Sequence, residues 1–209
     1  MSTSEESQPN QAAQKKKKAK SHSKGSVVRW FVAIELPANI RRQLVGICRG
    51  VIGLTWLPEA QINLMVRFIG ETRPGVEQRL KTALRRVNCR PMTINLHSVG
   101  CFPPSGAPKV LWSGVQGAAM ELQDLHKAVE ESLESAGVRK ENRHFRPHVA
   151  LGRSKSASRK SVQTWQQEYG SFKTSEFRLT HFGLYSSMIT PRGTKNKLVA
   201  EYRLQASYV

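Results

Sequence analysis

The most informative segment of this sequence reads Phe145-Arg146-Pro147-His148-Val149-Ala150-Leu151-Gly152-Arg153. A fainter copy lies earlier in the chain and reads Asn63-Leu64-Met65-Val66-Arg67-Phe68. Both runs alternate in the way that is typical of a β-strand with one buried face. In the first motif Asn63 and Met65 then share one strand face, and in the second motif His148 and Ala150 do. Two such strands side by side would direct all four side chains into one groove.

The predicted elements mix strands and helices without a regular order. Alternating apolar residues predict strands at 28–36, 61–69, 93–99, 109–115, 146–153, 177–185 and 198–204. Helical spacing of apolar residues, with Pro37 opening the first helix and Gly137 ending the third, predicts helices at 37–51, 76–87, 118–136 and 162–169. Each motif strand lies between two helices, which is the pattern of a duplicated lobe. This order indicates an α+β fold.

The charge of the chain favours a polyanionic partner. Its 33 Lys and Arg residues outnumber its 15 Asp and Glu residues, which gives a formal net charge of +18. Residues 1–25 hold six lysines, two glutamates and no large apolar side chain beyond Met1. We therefore expect a disordered Lys-rich tail at 1–25 and one domain at 26–209. Most of the excess charge belongs to that domain and suggests nucleic acid first and an anionic membrane surface second. The alternative is that the charge only reflects a generally basic proteome.

Other classes of protein are disfavoured by the sequence. Cys48, Cys89 and Cys101 are odd in number and lack the spacing of a zinc site, so we expect reduced thiols in a cytoplasmic protein. No apolar run approaches the roughly 20 residues that span a bilayer, and the N-terminal segment lacks the apolar core of a secretory signal. No metal-ligand constellation and no glycine-rich nucleotide loop is evident, so no cofactor is expected. Nothing in the sequence requires more than a monomer.

Six blocks of the sequence resemble, in order, the RNA 2′,3′-cyclic phosphodiesterases. This family, long labelled 2′-5′ RNA ligases, belongs to the two-histidine (2H) phosphoesterase superfamily. The matching blocks lie at 29–37, 56–71, 100–103, 108–115, 145–148 and 184–187. The resemblance implies a bilobal fold in which two antiparallel sheets surround a central groove and helices lie outside. It also implies a substrate that is RNA or a small phosphodiester.

The family signature is a His-x-Thr triplet in each lobe. The resemblance implies that the two histidines flank a cyclic phosphate, one as general base on water and one as general acid on the departing ribose oxygen. The two threonine hydroxyls bind the phosphate oxygens. Here the triplets are Asn63-Leu64-Met65 and His148-Val149-Ala150, so one signature side chain of four is retained.

The resemblance therefore assigns His148 and Asn63, the position of the lost histidine, to the catalytic pair. It assigns Met65 and Ala150 to the phosphate-binding positions, and Arg67 and Arg153 follow their motifs at family positions. Strand alternation places Arg67 on the groove face with Asn63 and Met65. Arg153 falls on the opposite parity to His148, so its reach into the groove requires a twist or a bulge.

Asparagine can donate or accept a hydrogen bond but cannot shuttle a proton. His97, His144 and Arg146 are conceivable substitutes, although we interpret the two histidines as surface or loop residues. The sequence thus predicts a divergent RNA 2′,3′-cyclic phosphodiesterase-like protein that acts on or binds cyclic-phosphate ends of RNA, with weak, metal-free hydrolysis. The alternative is a catalytically inactive RNA-binding protein that uses the same basic groove and lysine tail.

Overall fold

A computed structural model describes residues 28–72, 75–190 and 193–205 of the chain. The predicted tail at 1–25 and Pro191, which the sequence places in a loop, lie outside the described residues. Within the described ranges the strands are β1 (Val28–Glu35), β2 (Leu54–Trp56), β3 (Asn63–Glu71), β4 (Met92–Phe102), β5 (Val110–Gln116), β6 (His148–Ser154), β7 (Phe177–Leu179), β8 (His181–Thr190) and β9 (Gly193–Arg203). The helices are α1 (Ala38–Gly46), α2 (Val76–Leu84), α3 (Ala119–Ser135) and α4 (Arg159–Tyr169), and a 3₁₀ turn spans Glu59–Gln61.

The strands pair antiparallel along one curled path, in the order β7-β4-β5-β6-β3-β1-β8-β9, and β2 pairs with β6. One lobe holds β7, β4, β5 and β6, and the other holds β3, β1, β8 and β9. The lobes meet where β3 crosses β6, through the single register pair Leu64↔Val149. The predicted α+β fold with antiparallel sheets around a groove is confirmed.

The core lies between the helices and one face of the strands. Val32 of β1, Leu64 of β3 and Val149 of β6 are fully buried there, together with Leu125 and Val129 of α3. The opposite face of the strands, called the groove face below, is where the sequence predicts the site. No helix in the part of the chain that the structure describes is long and apolar enough to cross a membrane.

Several details differ from the sequence prediction. Gly193, which the sequence places in a loop with Pro191, is the first residue of β9. The strand predicted at 177–185 is two strands, because the chain changes lobe at Thr180: β7 pairs with β4, whereas β8 pairs with β1. The first helix ends at Gly46, although Ile47 and Val51 remain buried beyond its end. The three-residue strand β2 was not predicted, since so short a run carries no readable alternation.

Candidate functional site

The two motif strands meet at the centre of the molecule. Leu64 of β3 pairs with Val149 of β6, and both side chains point into the core and are fully buried. Because side chains alternate along a strand, the residues on either side of this pair point to the groove face. The crossing of β3 and β6 therefore brings the middle of each sequence motif to one point.

Four motif side chains share the groove face at this crossing. The antiparallel register places Met65 beside His148 and Asn63 beside Ala150. All four are half-buried, which leaves part of each side chain accessible from the groove. Positions one and three of both motifs therefore face one groove, as the alternation in the sequence predicts.

The imidazole of His148 is held in one orientation. Its Nδ1 lies 2.6 Å from the carbonyl oxygen of Arg146. A carbonyl can only accept, so Nδ1 carries the proton and Nε2 of the neutral ring is left as an acceptor. Burial lowers the pKa of His148 below its usual value, and the Arg146 carbonyl offsets this only in part. His148 is therefore suited to take a proton at neutral pH.

Two aromatic rings pack against His148. The Phe102 ring lies edge-on to His148 with centroids 5.0 Å apart, and the Trp112 ring lies at 6.4 Å. Trp112 in turn packs against Gly100, where any side chain would collide with the indole. Nothing in the sequence alone indicates that these rings belong to the site. Cross-strand pairing between β4, β5 and β6 is what brings them to His148, and this pairing is not visible in a single strand.

Asn63 repeats the backbone contact of His148 without its chemistry. Its Nδ2 donates to the carbonyl oxygen of Gln61 at 3.1 Å, two residues earlier in the chain. His148 bonds the carbonyl of Arg146, which is also two residues earlier. The amide nitrogen of Asn63 thus corresponds to Nδ1 of an imidazole, but no atom corresponds to the distal nitrogen that would exchange a proton.

One carboxylate shares the groove face with Asn63. Glu35 pairs with Asn63 in the β1–β3 register and shares its face. Its carboxylate accepts from Arg41 at 2.7 Å, and Arg41 also lies 3.8 Å from Glu59. This guanidinium is therefore already engaged by two acids. We infer that it is a weaker anion ligand than an unpaired arginine.

The prediction that Arg67 lies on the groove face is wrong. A bulge in β3 leaves Val66 without a partner, because Val32 pairs with Arg67 while Ala33 pairs with Met65. The extra residue reverses the parity, so Arg67 points to the core side and is buried. There it forms an ion pair with Glu130 of α3 and donates to the carbonyl oxygens of Phe68 and Arg139. With its donors engaged in this way, Arg67 is a structural residue.

A second bulge has the opposite effect on Arg153. In the β5–β6 pairing Trp112 is opposite Ala150 and Leu111 is opposite Gly152, which leaves Leu151 unpaired. The parity shifts by one residue, so Arg153 joins His148 and Ala150 on the groove face, where it is exposed. Of the twist or bulge that Arg153 needs to reach the groove, the structure contains the bulge.

The other candidate residues occupy different places. His144 and Arg146 are exposed in the loop between α3 and β6. His97 lies on β4 and is exposed. It pairs with Gly114, which pairs in turn with His148, so His97 is on the groove face. Cys48, Cys89 and Cys101 are separate free thiols. Across the described ranges, no group of three or more His, Cys, Asp or Glu side chains is placed to hold a metal ion.

The curled antiparallel sheet, in which each lobe contributes one motif strand to a shared groove, matches the fold of LigT-like two-histidine phosphoesterases. The chain belongs to the 2′-5′ RNA ligase superfamily, whose family model matches residues 58–187.

Relatives with assigned names match most of the chain. A protein of Methanocaldococcus jannaschii named RNA 2′,3′-cyclic phosphodiesterase is 28% identical over 179 residues, which are 84% of this chain and 100% of the relative. A protein of Archaeoglobus fulgidus with the same name is 30% identical over 169 residues, which are 79% of this chain and 94% of the relative.

Solved structures share the fold. Escherichia coli LigT crystallised with 3′-AMP superposes with a TM-score of 0.70 at 23% identity, and the match covers 86% of this chain and 99% of LigT. A Thermus thermophilus protein superposes with a TM-score of 0.69 at 22% identity, and the match covers 86% of this chain and all of that protein.

Proposed function

We propose that this protein recognises RNA ends that carry a 2′,3′-cyclic phosphate, as a divergent and slow RNA 2′,3′-cyclic phosphodiesterase. We further propose that it acts in the cytoplasm as a monomer. The observation that carries the proposal is the crossing of β3 and β6, which places His148 and the three altered signature positions on one face of one groove. The names of the archaeal relatives support the same substrate class.

His148 supplies the proton transfer in this proposal. Its Nε2 takes a proton from water as the water oxygen attacks phosphorus, and the Arg146 carbonyl keeps the ring oriented for that task. The bond from phosphorus to one ribose oxygen then breaks, and that oxygen requires a proton. In the parent mechanism a histidine at position 63 takes part in the proton transfers, and Asn63 cannot do so.

The substitutions set the expected rate. Loss of one acid–base partner costs about 10²- to 10⁴-fold. Met65 and Ala150 replace hydroxyl donors that would stabilise the phosphate oxygens, and each such donor contributes about another 10²-fold. These factors do not multiply, because members of one site act as a unit. We therefore expect slow turnover compared with an enzyme that retains both His-x-Thr triplets.

The same substitutions favour a second candidate, a non-catalytic RNA-binding protein. Binding requires cations and hydrogen-bond donors in the groove, such as Arg153, but it requires no proton transfer. On this alternative the groove and the lysine-rich tail retain RNA ends without cleaving them. The two candidates differ in turnover and not in affinity.

The experiment uses the full chain and a short RNA that ends in a 2′,3′-cyclic phosphate. Slow hydrolysis that disappears in His148→Ala and persists in His144→Ala, a matched change of an exposed histidine, supports the enzyme. Binding without hydrolysis in the unmodified protein supports the alternative. Equal affinity for this RNA and for the same RNA with a free 3′-hydroxyl end would overturn the assignment to cyclic-phosphate ends.

A further inference from the structure

The loop between α3 and β6 contains the group that orients His148. It spans residues 136–147 and ends directly before the imidazole. The Arg146 carbonyl, which accepts from His148 Nδ1 at 2.6 Å, belongs to this loop. The hydrogen bond that one ring nitrogen makes decides where the proton of a neutral imidazole resides. The position of the Arg146 carbonyl therefore decides whether Nε2 of His148 is free to accept a proton.

One side of α3 faces this loop with polar side chains. Gln123, His126 and Glu130 follow one another at spacings of three and four residues, so they lie along one stripe of the helix. The stripe beside it includes Leu125 and Val129 and fills the core. Helix α3 thus has a polar stripe along the border of its buried one, and each of its three polar residues contacts the loop.

The first half of the loop is held at the Glu130 end of this stripe. Glu130 Oε2 accepts from the backbone N–H of Glu141 at 3.2 Å. Its other oxygen pairs with Arg67 of β3, and Arg67 donates to the Arg139 carbonyl at 2.7 Å. Both contacts to the loop are made with its backbone, so the buried ion pair fixes the path of the chain.

The second half of the loop is held at Phe145. Its ring stacks on the His126 imidazole, with centroids 4.3 Å apart and 4° between the planes. Its carbonyl oxygen accepts from Gln123 Nε2 at 3.2 Å. His126 Nε2 lies 3.8 Å from Glu130, which is too long for a hydrogen bond, so His126 contributes the face of its ring. The peptide between Phe145 and Arg146 is thereby held against α3.

Little backbone freedom remains between that peptide and His148. The ring of Pro147 fixes its own φ at about −65°, and the residue before a proline is confined to extended conformations. His148 is fixed in turn by its pairing with Gly114 of β5. The Arg146 carbonyl lies between these two fixed points. A shift of Phe145 must therefore move the Arg146 carbonyl relative to the imidazole.

We propose that Gln123 and His126 are positioning residues for His148. By holding Phe145 they place the Arg146 carbonyl, which keeps the proton on Nδ1 and leaves Nε2 free to take one from water. This inference rests on the proposed function and adds to it two residues that act only through the loop.

The first test detects the His148 tautomer in the full chain without any RNA, by nitrogen NMR of the histidine imidazoles above their usual pKa of about 6.5. The unmodified protein should show the Nδ1–H form. Gln123→Ala and His126→Ala should populate the Nε2–H form, because the carbonyl no longer holds its place. His126→Phe retains a ring against Phe145 and should keep the Nδ1–H form. Lys127→Ala, a matched change of an exposed residue on the same helix, should keep it as well.

The second test is single-turnover hydrolysis of an RNA that ends in a 2′,3′-cyclic phosphate. Gln123→Ala and His126→Ala should slow hydrolysis by up to about 10²-fold, the loss that a misplaced catalytic group can cause. RNA affinity should change little, because neither change removes a side chain from the groove. His126→Phe and Lys127→Ala should hydrolyse the RNA at nearly the rate of the unmodified protein.

The two tests separate this inference from the proposed function. An unchanged His148 tautomer in Gln123→Ala and His126→Ala would overturn the inference, whatever happens to hydrolysis. A changed tautomer with undiminished hydrolysis would overturn it as well. A changed tautomer in a protein that hydrolyses nothing would support the positioning role and overturn the proposed catalysis. Gln123 is exposed, so Gln123→Ala should unfold in urea like the unmodified protein and decides the matter if His126→Ala does not fold.

Discussion

The buried ion pair between Arg67 and Glu130 gives a sharp prediction about stability. The two side chains are only 7% and 6% exposed, and Arg67 also donates to the Arg139 carbonyl at 2.7 Å. Arg67→Met leaves the Glu130 carboxylate buried without its cation, a loss that typically costs about 3–5 kcal/mol. For a domain of this size that cost corresponds to a fall in melting temperature of about 6–20 °C.

The assay is urea unfolding of the single and double variants. Arg29→Met is the matched control, since the Arg29–Glu71 pair is 41% and 56% exposed and should contribute less than about 1 kcal/mol. Combining Arg67→Met with Glu130→Leu should recover much of the lost stability, because no unpaired charge then stays buried. If Arg67→Met is no more destabilising than Arg29→Met, the structural role of Arg67 is refuted.

Three further predictions concern the groove. Asn63→His combined with Met65→Thr and Ala150→Thr should raise the hydrolysis rate by at least about 10²-fold. The Gln61 carbonyl, which accepts from Asn63, is already in place to orient the new imidazole. No gain in turnover would show that the groove has changed its ligand. Burial lowers the pKa of His148, so its neutral form should dominate at neutral pH. The limb of the pH–rate profile that His148 controls should rise with pH and have its midpoint below the usual histidine value of 6.5. A midpoint above that value would contradict this reasoning. Arg153→Gln should weaken RNA binding and reduce the slope of log affinity against log salt by about 0.7, the value for one phosphate contact on a single strand, and an unchanged slope would exclude Arg153 from the phosphate path.

The strands that carry the motifs could be predicted because burial on one face leaves a readable alternation. Leu64 and Val149 fill the core while Asn63 and His148 alternate with them, and this pattern needs no knowledge of the partner strand. The family blocks then supplied the bilobal architecture. The charge pattern could not define a ligand position, because basic residues are spread over the whole chain.

The positions of the two arginines could not be predicted, because each depends on a bulge. One unpaired residue in β3 turns Arg67 into the core, and one in β6 turns Arg153 into the groove. Single-residue shifts of this kind arise from how two strands pair, and simple alternation in one strand does not reveal them. His97 was interpreted as a surface or loop histidine, and it is exposed on β4. Its position relative to His148 depends on the register of three strands.

The central claim is that a cyclic phosphate binds against the face of His148. The most direct test of this claim is nitrogen NMR of the histidine imidazoles in the full chain. The chain is labelled at its histidines and titrated with an RNA ending in a 2′,3′-cyclic phosphate. The His148 resonances, assigned with His148→Ala, should shift on titration and should not shift with the same RNA ending in a 3′-hydroxyl. Saturable binding that leaves the His148 resonances in place would mean that the phosphate is bound elsewhere.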